Sequence, residues 1–342
     1  MLCLKDHETY RIKLLSPFFE EPRDENEELM VKVEEMEVIL NEGRAAIACH
    51  RRDGLDFPST PGCSNYCRLE ATISLHSAQA SEGFSYAELD KATNGFKKEI
   101  GRGAGGIVYK GKLSDDRIAA VKRLVDANHG EAEFLAEFNT IGKLNHMNLI
   151  DLWGYCAEGK HKILVYEYME HGSLAENLSS KTLDWKKRFQ IAVGTAKGLV
   201  YTHEECLEGD VKYLEISRLR GTRGYMAPEW VLNMPITSKV DVHSYGIVLL
   251  ELVTGRSPSI GVHGIDGKQL MQGTLSKWVK QQRDVTETWI GMIVDPTLDG
   301  KYDEAEMSIM VKVALQCVQE DKDARPTMGE VVQMLLRLVE KE

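Results

Sequence analysis

Apolar and polar positions change rhythm along this chain of 342 residues. Between Glu20 and Glu42 an acidic stretch carries Leu29, Val33, Met36 and Leu40 at helical spacing, which predicts an amphipathic helix with a solvated outer face. Residues 51–83 are rich in Ser, Gly, Pro and Cys without any period and predict a linker. From Phe84 the pattern becomes regular. Short β-type runs separated by turn signals fill 97–125, a helical pattern covers 131–144, and two further β-type runs reach Tyr168. After Gly172 nearly everything reads as helix, and the apolar run Tyr245–Val253, interrupted by Glu251, reads as a buried one. The pattern predicts an α+β chain in which a small β-rich lobe precedes a larger, mostly helical lobe.

Composition narrows the class. With 43% hydrophobic and 28% charged residues the chain can build a sizeable core. A net charge of −11 argues against a nucleic-acid partner, which would need clustered Lys and Arg. Seven cysteines, scattered and odd in number, suit a reducing compartment better than a disulfide framework. Cys63 and Cys67 lack a second pair at ligand spacing, so no metal site is predicted from them. No run approaches the ~20 apolar residues of a membrane-spanning helix. Charged Lys5, Asp6 and Glu8 come too early for a signal peptide, and the expectation is a cytoplasmic polypeptide without a membrane span.

The first chemical signal is Gly101-Arg102-Gly103-Ala104-Gly105-Gly106-Ile107-Val108. Glycines at 101, 103 and 106 let backbone N–H groups come close to phosphate oxygens. A dinucleotide-binding fold uses the same spacing but then opens a helix. Here a β-branched run, Ile107-Val108-Tyr109-Lys110, follows instead. A turn at Leu113–Asp116 leads into a second strand ending at Lys122. A glycine hairpin over phosphates with a cation on the next strand suits nucleotide phosphate chemistry. Lys122 needs a carboxylate, because an unpaired ammonium in a low-dielectric site is costly. Glu137 projects from the apolar stripe of Phe134, Phe138, Ile141 and Leu144, and a Lys122–Glu137 ion pair follows.

Beyond these residues the chain resembles the protein kinase superfamily, and within it the plant receptor-like kinases of the S-domain or lectin-receptor kind. The resemblance rests on Phe84-Ser85-Tyr86-Ala87-Glu88-Leu89 with Ala92-Thr93-Asn94-Gly95-Phe96, on His146–Ile150, and on Leu164–Met169. It continues through Gly221–Glu229, Asp241–Gly246 and Arg325-Pro326, in the family's order, and covers roughly 84–340. It implies a kinase domain over 81–340, with a first lobe to 170 and a second from 171, behind an extension of residues 1–80. ATP would be held by Gly101, Gly103, Gly106, Val108, Ala120, Lys122 and Glu137. Glu167 and Met169 would meet adenine, and Tyr166 would guard the back of the pocket. Glu229 would pair with Arg325, Asp241 would anchor the catalytic loop, and Ser217 and Thr222 would be phosphorylation sites. ATP and protein substrates are the implied partners. Intact relatives are plasma-membrane receptors with a cytoplasmic kinase domain.

The resemblance breaks between His203 and Ala227. The family places its catalytic aspartate and its two magnesium ligands there, in H-R-D-L-x-x-x-N and D-F-G. Relatives spend roughly three dozen more residues on this interval, and Asp-Phe-Gly occurs nowhere in the chain. Asp56-Phe57 and His50-Arg51-Arg52-Asp53 precede the glycine loop, so their order is wrong. Two readings of the remnant stand. Asp210 and Lys212 are the catalytic pair, with Glu215 where Asn should be, or Gly209–Leu214 is a piece of activation loop and the catalytic loop is gone. Either way the magnesium ligands are missing, ATP binding would be weak, and Asp241 would be left an unpaired buried carboxylate. Three functions follow: a kinase with a rearranged loop, a pseudokinase acting as a binding module, or a mis-spliced product without a stable fold.

Overall fold

A computed structural model of the chain describes residues 82–103, 106–124, 134, 137, 138, 144–206, 224–232, 234–263, 269–283 and 289–337. The expected acidic helix at 20–42, most of the 131–144 helix, Asp210, Lys212, Ser217 and Thr222 lie outside the described residues. The described residues form two units that divide between Met169 and Glu170.

In the first unit, six strands make one sheet. They are β1 (Glu82–Gly83), β2 (Glu99–Gly103), β3 (Gly106–Lys112), β4 (Ile118–Arg123), β5 (Leu152–Cys156) and β6 (Ile163–Glu167). Their order is β1-β5-β6-β4-β3-β2, antiparallel except for the β1–β5 pair. Glu82 and Gly83, expected in the linker, are therefore part of the sheet. Gly154 explains this: a Cβ there would sit 2.2 Å from the Glu82 carbonyl oxygen and 2.5 Å from the Phe84 ring, so only glycine lets β1 approach. Helix α1 (Tyr86–Ala92) follows, with Ser85 and Glu88 forming a capping box. Leu89 of α1 is fully buried with Leu113, Ala119, Val121, Cys156, Ile163 and Val165. Val108, Ala120, Leu164 and Tyr166 cluster with helical Phe134 and Phe138 in a second core. Strand alternation separates these two sets onto opposite faces.

The second unit is mostly helical. Its helices are α2 (Leu174–Ser179), α3 (Trp185–Cys206), α4 (Pro228–Val231), α5 (Lys239–Thr254), α6 (Leu275–Arg283), α7 (Trp289–Ile293), α8 (Glu304–Cys317) and α9 (Met328–Leu336). Helix α5 is buried at every position from Val240 to Thr254, which fits its apolar run Tyr245–Val253 and also takes Asp241, His243, Ser244, Glu251 and Thr254 into the interior. Tyr245 donates its hydroxyl to the Ala192 carbonyl of α3 at 2.9 Å. Arg188 of α3 reaches the Leu252 carbonyl at 2.9 Å and Asp295 at 2.7 Å. At Gly246, helix α8 comes so close that a Cβ would meet Cys317 Cβ and Val318 Cγ1 at 2.7 Å. One element departs from the helical expectation. Strands β7 (Ser259–His263) and β8 (Gln269–Thr274) form an antiparallel ladder. Pro258, Gly261 and Gly264 interrupt any helical run, and Ile260 and Val262 favour the extended state.

Two buried groups set a pH dependence. Burial pushes the Glu251 carboxyl up to about 8, although Tyr225 donates a 2.6 Å hydrogen bond to it. Burial lowers His243 to about 4. The folded state holds the Glu251 proton where the unfolded chain has lost it, so this stability is lost as pH rises from about 4.5 to 8. His243 acts oppositely, favouring folding as pH rises from about 4 to 6.5. The two slopes offset each other between these limits, and only the Glu251 slope remains above 6.5. Chemical denaturation from pH 6.5 to 8 should show stability falling by about 2 kcal/mol, and Glu251→Gln should flatten that fall. A second substitution tests the α5–α8 contact: Gly246→Ala should cost about 1–3 kcal/mol in the same assay.

Candidate functional site

Register brings the first cluster together. In the β2–β3 hairpin Gly103 faces Gly106. Val108 then lies opposite Lys122, and Lys122 opposite Leu164. Gly106 has φ +141°, and a Cβ there would stand 2.4 Å from the Arg123 carbonyl oxygen. Its lack of a side chain is thus required by β4 packing as well as by any ligand. Lys122 is buried, and its Nζ lies 2.9 Å from both carboxylate oxygens of Glu137. The ion pair expected from the helical stripe is present. Tyr166 donates its hydroxyl to Oε1, one of the two Glu137 oxygens that Lys122 meets. Sequence reasoning gave Tyr166 only a wall's role. Its contact with Glu137 depends on where the helix sits over the sheet, which no spacing rule encodes.

The arrangement suits a flat base with a polyanionic tail. Buried Val108 and Ala120 supply an apolar floor on the face that carries Lys122. The glycine hairpin borders it, with Glu167 and Met169 following at the end of β6. Among the described residues no group of three or more His, Cys, Asp or Glu side chains is placed to hold a metal ion.

The second unit holds two further predicted groups. Arg325 grips Glu229 through two hydrogen bonds of 2.6 and 2.8 Å, with both side chains buried. Arg325 also donates to the carbonyls of Gln319, Lys239 and Glu320. Burial alone would raise the Glu229 carboxyl, but the Arg325 hydrogen bonds, a backbone N–H and the Arg325 charge together hold the group below its ordinary value. Asp241 corrects an expectation. It is not left unpaired, because His203 Nε2 lies 3.0 Å from its Oδ2. The last turn of α3 supplies that imidazole, on residues sequence reasoning used only to mark where the family pattern stops.

Comparison with known proteins gives a consistent picture. The family description "Protein tyrosine and serine/threonine kinase" matches residues 95–212, and "Protein kinase domain" matches 207–336. A receptor protein kinase of Zea mays is 44% identical over 290 positions, covering 74% of this chain and 36% of its own. A G-type lectin S-receptor-like serine/threonine-protein kinase of Arabidopsis thaliana is 39% identical over 310 positions, 78% of this chain and 34% of its own. One of Oryza sativa subsp. indica is 37% identical over 312, 79% of this chain and 38% of its own. The chain thus spans little more than a third of the length of these relatives. The maize alignment's 74% of 342 residues is about 253, which leaves about 37 of its 290 positions without a counterpart here. By these matches, the chain belongs to the protein kinase family, in its plant receptor-like serine/threonine branch.

Proposed function

We propose that this chain is a nucleotide-binding, protein-interacting member of its family that has lost phosphoryl transfer. The family uses ATP and magnesium and acts on protein substrates. The observation that carries the reading is the absence of Asp-Phe-Gly anywhere in the sequence, although the Lys122–Glu137 pair is assembled. Without magnesium ligands, no metal is held to bridge the phosphates, and the transition state loses its main charge stabilisation. The family matches change over at 207–212, the same interval where the sequence falls short of the family pattern, and the unmatched alignment positions agree with a shortened chain.

What the residues present can do is bind. Lys122 would meet phosphate oxygens, the glycine hairpin would offer its N–H groups, and Val108 and Ala120 would carry the base. The buried Glu229–Arg325 and Asp241–His203 pairs favour a folded module over a product without stable structure. Among the described residues no helix is long and apolar enough to cross a membrane. We assign the module to the cytoplasm, where its buried thiols Cys156 and Cys317 would stay reduced.

Two measurements test the reading. Calorimetric titration should find weak ATP binding that magnesium barely changes, and Lys122→Ala should weaken it tenfold or so. Strong enhancement by magnesium would reveal substitute ligands and defeat the proposal. Radiolabelled phosphate transfer to the chain itself or to a generic protein should be undetectable, because catalytic groups acting as a unit fail together. Transfer that Lys122→Ala or Asp210→Ala abolishes would overturn the reading, and loss in Asp210→Ala would make Asp210 the catalytic residue.

A further inference from the structure

The face of the sheet that carries Lys122 carries a second lysine. Alternation puts Val108 and Lys110 of β3, Ala120 and Lys122 of β4, and Leu164 and Tyr166 of β6 on one side. Lys110 lies opposite Ala120, and Ala120 opposite Tyr166. Tyr168, just beyond β6, packs against the same apolar cluster. From its row Lys110 places its ammonium 4.0 Å from the centroid of the Tyr168 ring. The face therefore has a cation in each of two neighbouring rows, with the Val108 and Ala120 floor between them.

The two cations are held differently. Lys122 meets a carboxylate, which offsets its charge. Lys110 meets the negative face of a neutral ring, an attraction that orients the ring as much as it holds the lysine. Tyrosine has few rotatable bonds, so a cation on one face and apolar packing fix its plane at small entropic cost. Ala120 lies between Lys110 and Tyr166 in register and adds only a methyl group to that row.

We propose that Lys110 is a positioning residue for the nucleotide base: it fixes Tyr168 as the outer wall of the slot floored by Val108 and Ala120. The proposal rests on the nucleotide reading above. The ligand part concerned is the flat purine, since the phosphates belong in the row of Lys122 and the glycine hairpin.

Titrating adenosine and ATP, both without magnesium, into the full chain and its Lys110→Met, Lys110→Arg and Tyr168→Leu variants tests this. Lys110→Met, which keeps the stem and removes the charge, should weaken both ligands alike by about threefold. Tyr168→Leu should weaken both at least as much. Lys110→Arg should stay near the parent, because a guanidinium also stacks on an aromatic face. Equal binding by Lys110→Met and the parent overturns the proposal. So does a loss confined to ATP, which would make Lys110 a phosphate contact. A parent chain that binds neither adenosine nor ATP defeats the nucleotide reading itself, whereas parent binding that ignores Lys110 defeats this inference alone.

Discussion

Among the described residues three Lys and Arg cations lie almost wholly inside this protein, and the rest of the described structure is arranged to meet them. Lys122, Arg188 and Arg325 are each at most 2% exposed. A buried charge without a partner costs several kcal/mol, so each demands a carboxylate, and the carboxylates come from far away in sequence. Glu137 follows Lys122 by 15 residues, Asp295 follows Arg188 by 107, and Arg325 follows Glu229 by 96. The first pair fixes a helix over the sheet. The second ties α3 to the segment after α7. The third joins the start of α4 to the turn before α9, and the extra carbonyls that Arg325 engages leave it no other geometry. Apolar packing makes these units dense, but the charge pairs specify which segments meet.

The sequence made the coarse plan legible because its signals are local. Alternation in Ile107–Lys110 and Arg117–Lys122, the stripe through Phe134 and Phe138, and the apolar run Tyr245–Val253 of α5 each act within a few residues. The Lys122–Glu137 pair was accessible for the same reason: a carboxylate on an apolar helical stripe advertises a missing cation. Glu229–Arg325 was legible only through resemblance, since nothing local links positions so far apart. The Tyr166–Glu137 contact, the β7–β8 ladder and the joining of β1 to β5 were missed. Each depends on how close two elements approach, and Gly154 shows how small the signal is: a single absent side chain.

The fate of Asp241 shows how a helical unit satisfies a buried carboxylate. Asp241, at the N-terminal end of α5, is buried, so it must be met. The imidazole of His203 meets it from the last turn of α3, and the two helices already pack along their lengths through Tyr245 and Arg188. The pair therefore needs no reorganisation of the core, only a side chain within reach of a fixed carboxylate.

The joining of β1 to the sheet has a mechanical side. Any tension along the chain ahead of residue 82 enters the first unit at a parallel ladder of two residue pairs. A ladder that short peels easily. Behind it stand the Phe84 amide on the Tyr155 carbonyl at 2.8 Å and the Tyr86 amide on Glu158 at 3.0 Å. Only then does the load meet Leu89, sunk in the outer core of the sheet. The unit thus has a graded anchor in which weak contacts yield first, and the face that carries Lys122, Val108 and Ala120 is on the far side of the sheet from the point of pull.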